Sequence, residues 1–297
     1  MRFDIFGRTE AGLVRQENED HMLIGGMIRN RGSLGLRLDG DDELITGPGL
    51  LLAVADGIGG AAGGATASRL SLATLERAFN GDSRPVRERL VWASEAANAA
   101  ILDAARAQPE LAGMGCTLAG VCLTGTGYLV FHAGDSRIYR YRRGVIKALT
   151  LDDTLAGLAV RAGRLTVGAS ARHPRRHVLT NYAGSLEFSL AIEDGRGPDD
   201  GDVVMICSDG LHDLVPPAEL ESLFDRAATD LDTLGHTLIE SAIAHGGHDN
   251  VSVVLLRFSG VAREARVEGL DAAQDNGSAG KAGTPDGDTG KEKGGAR

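Results

Sequence analysis

The stretch that decides the fold is Leu51–Ser68, LLAVADGIGGAAGGATAS: an apolar run, an aspartate, a glycine cluster and then helical spacing. Two chemistries use such a turn. In one, the glycines let the backbone cradle a phosphate; in the other, an aspartate at a strand end holds a metal ion. Gly57, Gly59 and Ala62 satisfy the loose G-x-G-x-x-G/A dinucleotide pattern. That pattern also requires a second parallel strand ending in an acidic residue about 20 residues further on. Glu76 instead falls within the helical stretch, and Asp82 follows Phe79-Asn80-Gly81 with no strand before it. Asp56 would also set its charge against an incoming pyrophosphate. A P-loop is excluded because no Lys-Ser/Thr pair follows the glycines.

Composition narrows the class. At 297 residues with 42% hydrophobic content, the chain can build one large domain or two small ones. A net charge of -10 opposes a mainly electrostatic nucleic-acid binder, which needs a basic footprint against the phosphate backbone. Cys116, Cys122 and Cys207 form no C-x-x-C pair and sit in or beside apolar runs, the pattern of buried free thiols in a reducing compartment. MRFDIFGRTEAG at the start lacks an apolar signal core, and no run approaches ~18 uninterrupted apolar residues, so neither a signal peptide nor a membrane span is expected. The cytoplasm is the default location. From Ser259 onward there are no aromatics, and after Leu270 only small, charged and turn-forming types remain, so residues 259–297 read as a disordered tail on a folded domain over 1–258.

Short β-like runs occur at Leu50–Ala55, Leu118–Leu123, Tyr128–Ala133, Arg137–Tyr141, Val203–Ser208 and Val251–Phe258. Helical spacing marks Ala65–Phe79, Val86–Ala107 and Leu231–Ala244, with Leu70, Leu72, Leu75 and Phe79 near one face of the first and Leu90, Ala93, Ala97 and Ile101 on one face of the second. Helices and strands that do not strictly alternate imply an α+β fold of mainly antiparallel sheets covered by helices.

Five acidic turns stand at strand boundaries. Asp-Gly occurs six times, yet only Asp56-Gly57 and Asp209-Gly210 directly follow an apolar run. Asn18-Glu19-Asp20, Gly134-Asp135-Ser136 (between YLVFHA and RIYRY, read as a hairpin) and His248-Asp249-Asn250 complete the set. One such aspartate usually serves only nearby backbone N–H groups. Several carboxylates with few Cys or His ligands suit hard Mg²⁺ or Mn²⁺, whereas zinc spacing is missing.

In order, R-x-x-N-E-D (Arg15–Asp20), A-D-G-x-G-G (Ala55–Gly60), G-D-S-R (Gly134–Arg137), C-S-D-G-L-x-D (Cys207–Asp213) and H-D-N (His248–Asn250) resemble the metal-dependent protein phosphatases of type 2C, in particular compact bacterial serine/threonine phosphatases. The resemblance covers Arg2 to about Phe258. It implies a four-layer α-β-β-α sandwich and two to three Mn²⁺ or Mg²⁺ ions that activate a water. By that resemblance Asp56 bridges two ions, with the Gly57 carbonyl on the second. Asp209 and Asp249 complete the first ion, and Glu19 holds the second. Asp135 with Asp209, and more weakly Asp213, forms a third site. Arg15 clamps the phosphate, while Asn18, Asp20 and Asn250 orient the ligands from behind. The implied partners are phosphorylated proteins and a cognate bacterial Ser/Thr kinase, with no nucleic acid, and the chain is expected to be a monomer. The alternative is a catalytically weak regulatory or phosphoprotein-binding module.

Some positions depart from the family. Ile58 stands where many eukaryotic members carry a proton-donating His, which leaves a metal-bound water as the candidate donor. The segment 150–184 resembles the family's flap beside the metals, but Asp153 replaces its His, and Asn181-Tyr182 replaces a common Arg-Ala. Arg172, Arg175 and Arg176 form a basic cluster there, suited either to an acidic peptide or to a solvated loop. Gly115-Cys116-Thr117 reads as packing.

Overall fold

Leu50–Ala55 is buried at every position, which requires both faces of its sheet to be covered. The computed structural model describes residues 1–261 except Thr126 and Arg196; the expected tail beyond these lies outside the described residues. In chain order the strands are β1 Arg2–Glu10, β2 His21–Ile24, β3 Met27–Arg29, β4 Gly32–Asp39, β5 Leu50–Ala55, β6 Gly57–Ile58, β7 Gly115–Cys116, β8 Leu118–Thr124, β9 Gly127–Ala133, β10 Arg137–Arg142, β11 Val145–Ala148, β12 Ala191–Asp194, β13 Val203–Cys207 and β14 Val251–Ser259. The helices are α1 Glu43–Thr46, α2 Ala61–Asn80, α3 Val86–Ala107, α4 Leu155–Arg161, α5 Val167–Ser170, α6 Asp209–His212, α7 Pro217–Ala227 and α8 Leu231–Ala244.

Among the described residues, the strands form two six-stranded antiparallel sheets, ordered β11-β10-β13-β14-β1-β4 and β12-β9-β8-β5-β2-β3, and a two-stranded β6-β7 pair. Alternation splits each strand between two cores. Phe3, Ile5, Ile24, Leu52, Val54, Val254 and Leu256 pack between the sheets. Leu23, Leu51, Ala53 and Ala55 meet Leu72, Leu75 and Phe79 of α2 and Leu90, Ala93, Ala97 and Ile101 of α3. Phe6, Met205, Val253 and Leu255 meet α7 and α8 through Leu223, Phe224, Leu234 and Leu238. This is the four-layer α-β-β-α sandwich. All three cysteines are buried and free, and burial pushes each thiol up to about 12.

Register explains why the acidic turns meet. Glu10 pairs with Val251, Val253 with Cys207, and Cys207 with Arg137 in one sheet; His21 pairs with Ala55, and Leu118 with Ala133, in the other. The loops after β1, β5, β9 and β13, and the one before β14, therefore leave the sandwich at one end.

Two expectations change. Tyr128–Ala133 and Arg137–Tyr141 are not a hairpin: β9 pairs with β8 and β12, whereas β10 joins the opposite sheet through β11 and β13. Gly134, at φ 114°, carries the chain across, and a Cβ there would press on the Thr117 side chain at 2.8 Å. The N-terminal segment, which showed no strand run, is β1, a central strand nine residues long. Its Asp4 is neutralised by Arg37 and Arg257, and its Arg8 by Glu10.

Leu52 is fully buried between the sheets. Leu52→Ala should cost about 2–5 kcal/mol, as a methylene deletion leaving a cavity. Equilibrium unfolding in urea, with an unchanged slope and a lower midpoint, checks this.

Candidate metal centre

One cleft of about 300 Å³ is lined by Arg15, Glu19, Asp56, Gly57, Ile58, Asp135, Asp209, Asp249 and Asn250, together with Gly59, Gly60, Thr117, His177 and Leu179. Five loops separated widely in sequence thus deliver their acids to a single place. A larger groove, about 470 Å³, runs past Asp4, Arg37, Asp230, Asp232 and Arg257, but there Asp4 is already paired with both arginines. The acidic turns meet in the smaller cleft.

Asp56 follows β5 directly, and its backbone is fixed from both sides. Its N–H donates to Thr117 Oγ1 at 3.0 Å, and its carbonyl accepts from the Thr117 N–H at 2.9 Å. Thr117, read from the sequence as packing, is therefore the residue that sets Asp56 in place. Glu19 is held by its backbone: its N–H donates to Asn250 Oδ1 at 2.8 Å, and its carbonyl accepts from Ser68 Oγ. Asn250 Nδ2 donates to the Ala11 and Glu17 carbonyls at 3.0 and 2.9 Å, tying the Arg15-bearing loop to the start of β14. Asn18 does not line the cleft. Its Nδ2 donates to Thr9 Oγ1 and the Asn30 carbonyl at 2.8 and 2.7 Å, and its Oδ1 accepts from the Asp20 N–H at 3.1 Å.

Asp20 lies fully buried behind the cleft, where Ser208 Oγ and Ser252 Oγ approach its Oδ2 at 2.7 Å each. Asp209 opens α6, and its Oδ1 is buried with no hydrogen-bond partner, as is Asp20 Oδ1. Arg15 rests its Nη2 on Asp249 Oδ2 at 2.9 Å, with half of its side chain exposed. Asp213 is not among the lining residues and stands 3.2 Å from His212 Nδ1 and 3.5 Å from His177 Nδ1. Arg175 and Arg176 lie in the flap outside the lining residues. Asp153 and Asn181, the two departures in the flap, bond to each other: Asn181 Nδ2 donates to Asp153 Oδ2 at 2.8 Å. Asp153 also takes Arg161 Nη2 at 2.7 Å and the Gly134 N–H at 3.2 Å, so it anchors the flap to the Asp135 turn.

The electrostatics are those of crowded anions. Burial, then repulsion from Asp20, Asp209, Asp135 and Asp249, pushes Asp56 well above the usual carboxylate range. Asp135 is raised likewise by burial and then by Asp209. Burial raises Asp209 against His212, and Glu19 against Arg15. Such groups ionise together only when cations offset them. The residues fit a hard divalent ion: oxygen donors dominate, Asp209 Oδ1 is buried and unpartnered, and Gly57 lies in the cleft lining.

Gly64 was missed from the sequence. A Cβ on it would overlap Glu19 Oε2, and a Cβ on Gly57 would overlap the Gly64 carbonyl. The signal was available, since glycine inside a helix costs about 1 kcal/mol against alanine. A glycine kept within α2 therefore marks a close approach.

A helix-clad double sheet that gathers carboxylates at one end defines a divalent-metal protein of the four-layer sandwich class. The chain belongs to the protein phosphatase 2C family, whose model, described as Protein phosphatase 2C, matches residues 41–239. It is 34% identical over 254 residues to the serine/threonine protein phosphatase PstP of Mycobacterium tuberculosis, covering 84% of this chain and 43% of that one. The chain thus spans less than half the length of that relative. It is 29% identical over 272 residues to the serine/threonine phosphatase stp of Listeria innocua, covering 90% of this chain and 98% of that protein. A solved catalytic domain of PstP, in complex with two manganese ions, superposes with a TM-score of 0.67 at 30% identity, covering 86% of this chain and 99% of that one. Mn²⁺ or Mg²⁺ is the cofactor class of the family.

Burial raises Asp20 from its ordinary 3.8 to about 7, against the lowering bonds from Ser208 and Ser252. The native state then binds more protons than the unfolded chain between these values, so this group's contribution is complete below 3.8 and is lost as pH rises to about 7. Metal-free Asp20→Asn should therefore gain melting temperature on the parent as pH is raised across that window, read by thermal melts. Separately, Gly64→Ala should displace Glu19 and weaken Mn²⁺ binding at least about tenfold, as loss of ligand orientation does, with the folded circular-dichroism spectrum retained. Calorimetric titration of Mn²⁺ measures that loss.

Proposed function

We propose that this chain is a metal-dependent phosphatase that removes phosphate from phosphoserine and phosphothreonine in proteins, opposing a serine/threonine kinase. The observation that carries this reading is the convergence of Glu19, Asp56, Asp135, Asp209 and Asp249 with Arg15 in one cleft. The serine/threonine phosphatase relatives and the manganese-bound neighbour support it.

Asp56, the Gly57 carbonyl, Asp209, Asp249 and Glu19 would hold two ions, and Asp135 with Asp209 a third. Bound there, the ions supply Lewis acidity, which lowers the pKa of a water and offsets the charge of the phosphate. The protein's own work is positioning. Thr117 fixes Asp56, and Asn250 fixes Glu19 and the Arg15 loop. Arg15 turns its planar guanidinium from Asp249 to the phosphate oxygens. It gives up a partly exposed ion pair worth about 0–1 kcal/mol and gains charge-assisted bonds. Ile58 lines the cleft and has no proton to give, so it supplies no general acid to the leaving oxygen. Arg175 and Arg176 meet the peptide beyond the phosphate. No helix among the described residues is long and apolar enough to cross a membrane, and the proposed setting is the cytoplasm.

Mn²⁺-dependent hydrolysis of p-nitrophenyl phosphate and of a phosphothreonine peptide is the expected activity. Asp56→Asn or Asp209→Ala should lose more than the roughly 10–100-fold that a supporting residue costs. Arg15→Ala should raise KM for the peptide more than it lowers kcat. Full activity in Asp209→Ala with its metal content unchanged overturns the reading; phosphopeptide binding without turnover in the parent replaces it with a regulatory module.

A further inference from the structure

We propose that His177, carried by the flap, ligates a divalent cation together with Asp135 and Asp209, so that this ion ties the flap to the floor of the cleft. The proposal rests on the metal-centre reading above and adds to it a nitrogen ligand and a mechanical role. One ring nitrogen of His177 and one carboxylate oxygen from each aspartate lie within 4.8 Å of one another. An ion about 2.1 Å from each donor separates opposite donors by about 4.2 Å. Of three donors only one pair can be opposite, and adjacent donors stand about 3.0 Å apart, so side-chain adjustments of up to about an ångström bring the three onto one ion.

Two further observations point to an ion there. Asp209 Oδ1 is buried and has no hydrogen-bond partner. The Nδ1 of His177 stands 3.5 Å from Asp213 Oδ2, and the proposal assigns Nε2 to the ion. Metal-binding imidazoles commonly lean their second nitrogen on a carboxylate in this way. Asp213 reaches the same site by a second route: it faces His212 Nδ1 at 3.2 Å, and His212 Nε2 lies 3.0 Å from the Asp135 carbonyl. Asp213 is thus a positioning residue for the two imidazoles, whereas the sequence pattern suggested a weak ligand.

The Leu155 N–H donates to the Val178 carbonyl at 2.9 Å and the Thr180 N–H to the Asp153 carbonyl at 2.7 Å, and an ion on His177 adds a link from this pair to the floor beneath the flap. Asp153 binds the flap to the Gly134 turn at one end, and Ala183 pairs with Cys116 at the other. Between these roots, only His177 and Leu179 of the flap are among the cleft-lining residues. The neighbouring flap imidazole, His173, is taken up locally, with its Nδ1 accepting from the Arg175 N–H at 3.2 Å. A nitrogen donor beside two carboxylates also biases the site from Mg²⁺ toward Mn²⁺ and later transition metals.

The test uses the full chain loaded with Mn²⁺ and pulsed electron paramagnetic resonance, which detects nitrogen bound to the ion. The parent should show imidazole nitrogen coupling that shifts when histidine is labelled with ¹⁵N. His173→Ala should keep it. His177→Ala should lose it, with the weakest Mn²⁺ bound at least about tenfold less tightly by calorimetry. Hydrogen exchange over residues 167–179 should slow on Mn²⁺ addition in the parent and not in His177→Ala. The half-exposed His177 side chain can be removed without emptying the core. Two or more Mn²⁺ bound to the parent without nitrogen coupling, or coupling unchanged in His177→Ala, overturns this proposal and leaves the metal centre standing. Failure of the parent to bind Mn²⁺ overturns both.

Discussion

The burial of neighbouring carboxylates, away from water and close to one another, is the constraint on which this structure turns. Asp20, Asp56, Asp135 and Asp209 are each driven above the usual carboxylate range, and for each the leading cause is removal from water. A cluster of that kind works against folding unless the scaffold is stiff and a counter-charge is expected. The stiffness comes from three apolar layers, one between the sheets and one beneath each helix pair. The supporting polar groups are arranged to hold backbones, leaving carboxylate oxygens free. Thr117 grips the Asp56 peptide, and Asn250 grips the Glu19 peptide and two carbonyls of the Arg15 loop.

Antiparallel pairing is what makes the cluster possible from such distant parts of the chain. Each acidic turn sits within a few residues of a register pair at the same end of its sheet, so Glu19 and Asp249 become neighbours although 230 residues separate them. Gly134 adds the crossing that brings Asp135 from one sheet to the other. Had β9 and β10 been a hairpin, Asp135 would have capped a single sheet edge and faced away from Asp209.

The parts legible in the sequence are those whose signal is local. Val86–Ala107 and Leu231–Ala244 carry a single apolar face, and their boundaries coincide with α3 and α8. Leu50–Ala55 is apolar throughout because both of its faces are buried. β1 was hidden because its Asp4 is neutralised by partners on β4 and β14, and those partners are invisible along the chain. The supposed hairpin failed for the opposite reason: a short Gly-Asp-Ser turn looks the same whether it closes one sheet or joins two. Within the site, the order and spacing of the acidic motifs carried the carboxylates and Arg15. Gly64, Thr117 and His177 did not emerge, since a helix-embedded glycine, a strand-start threonine and a flap histidine acquire meaning only from what lies across the cleft.

The departures from the family pattern fall on the rim, and this locates where the chain has diverged. The carboxylates and the glycine turn stay, while Asp153 and Asn181 change together and bond to each other. A buried aspartate in place of a histidine would be costly alone. Here Arg161, Asn181 and the Gly134 N–H satisfy it, so the exchange keeps the flap rooted while altering what its surface presents. Ile58 belongs to the same class of change, an apolar side chain on the cleft wall next to the Asp56-Gly57 turn. Such changes leave the carboxylate floor and the Asp56-Gly57 turn intact and alter the flap and the cleft wall.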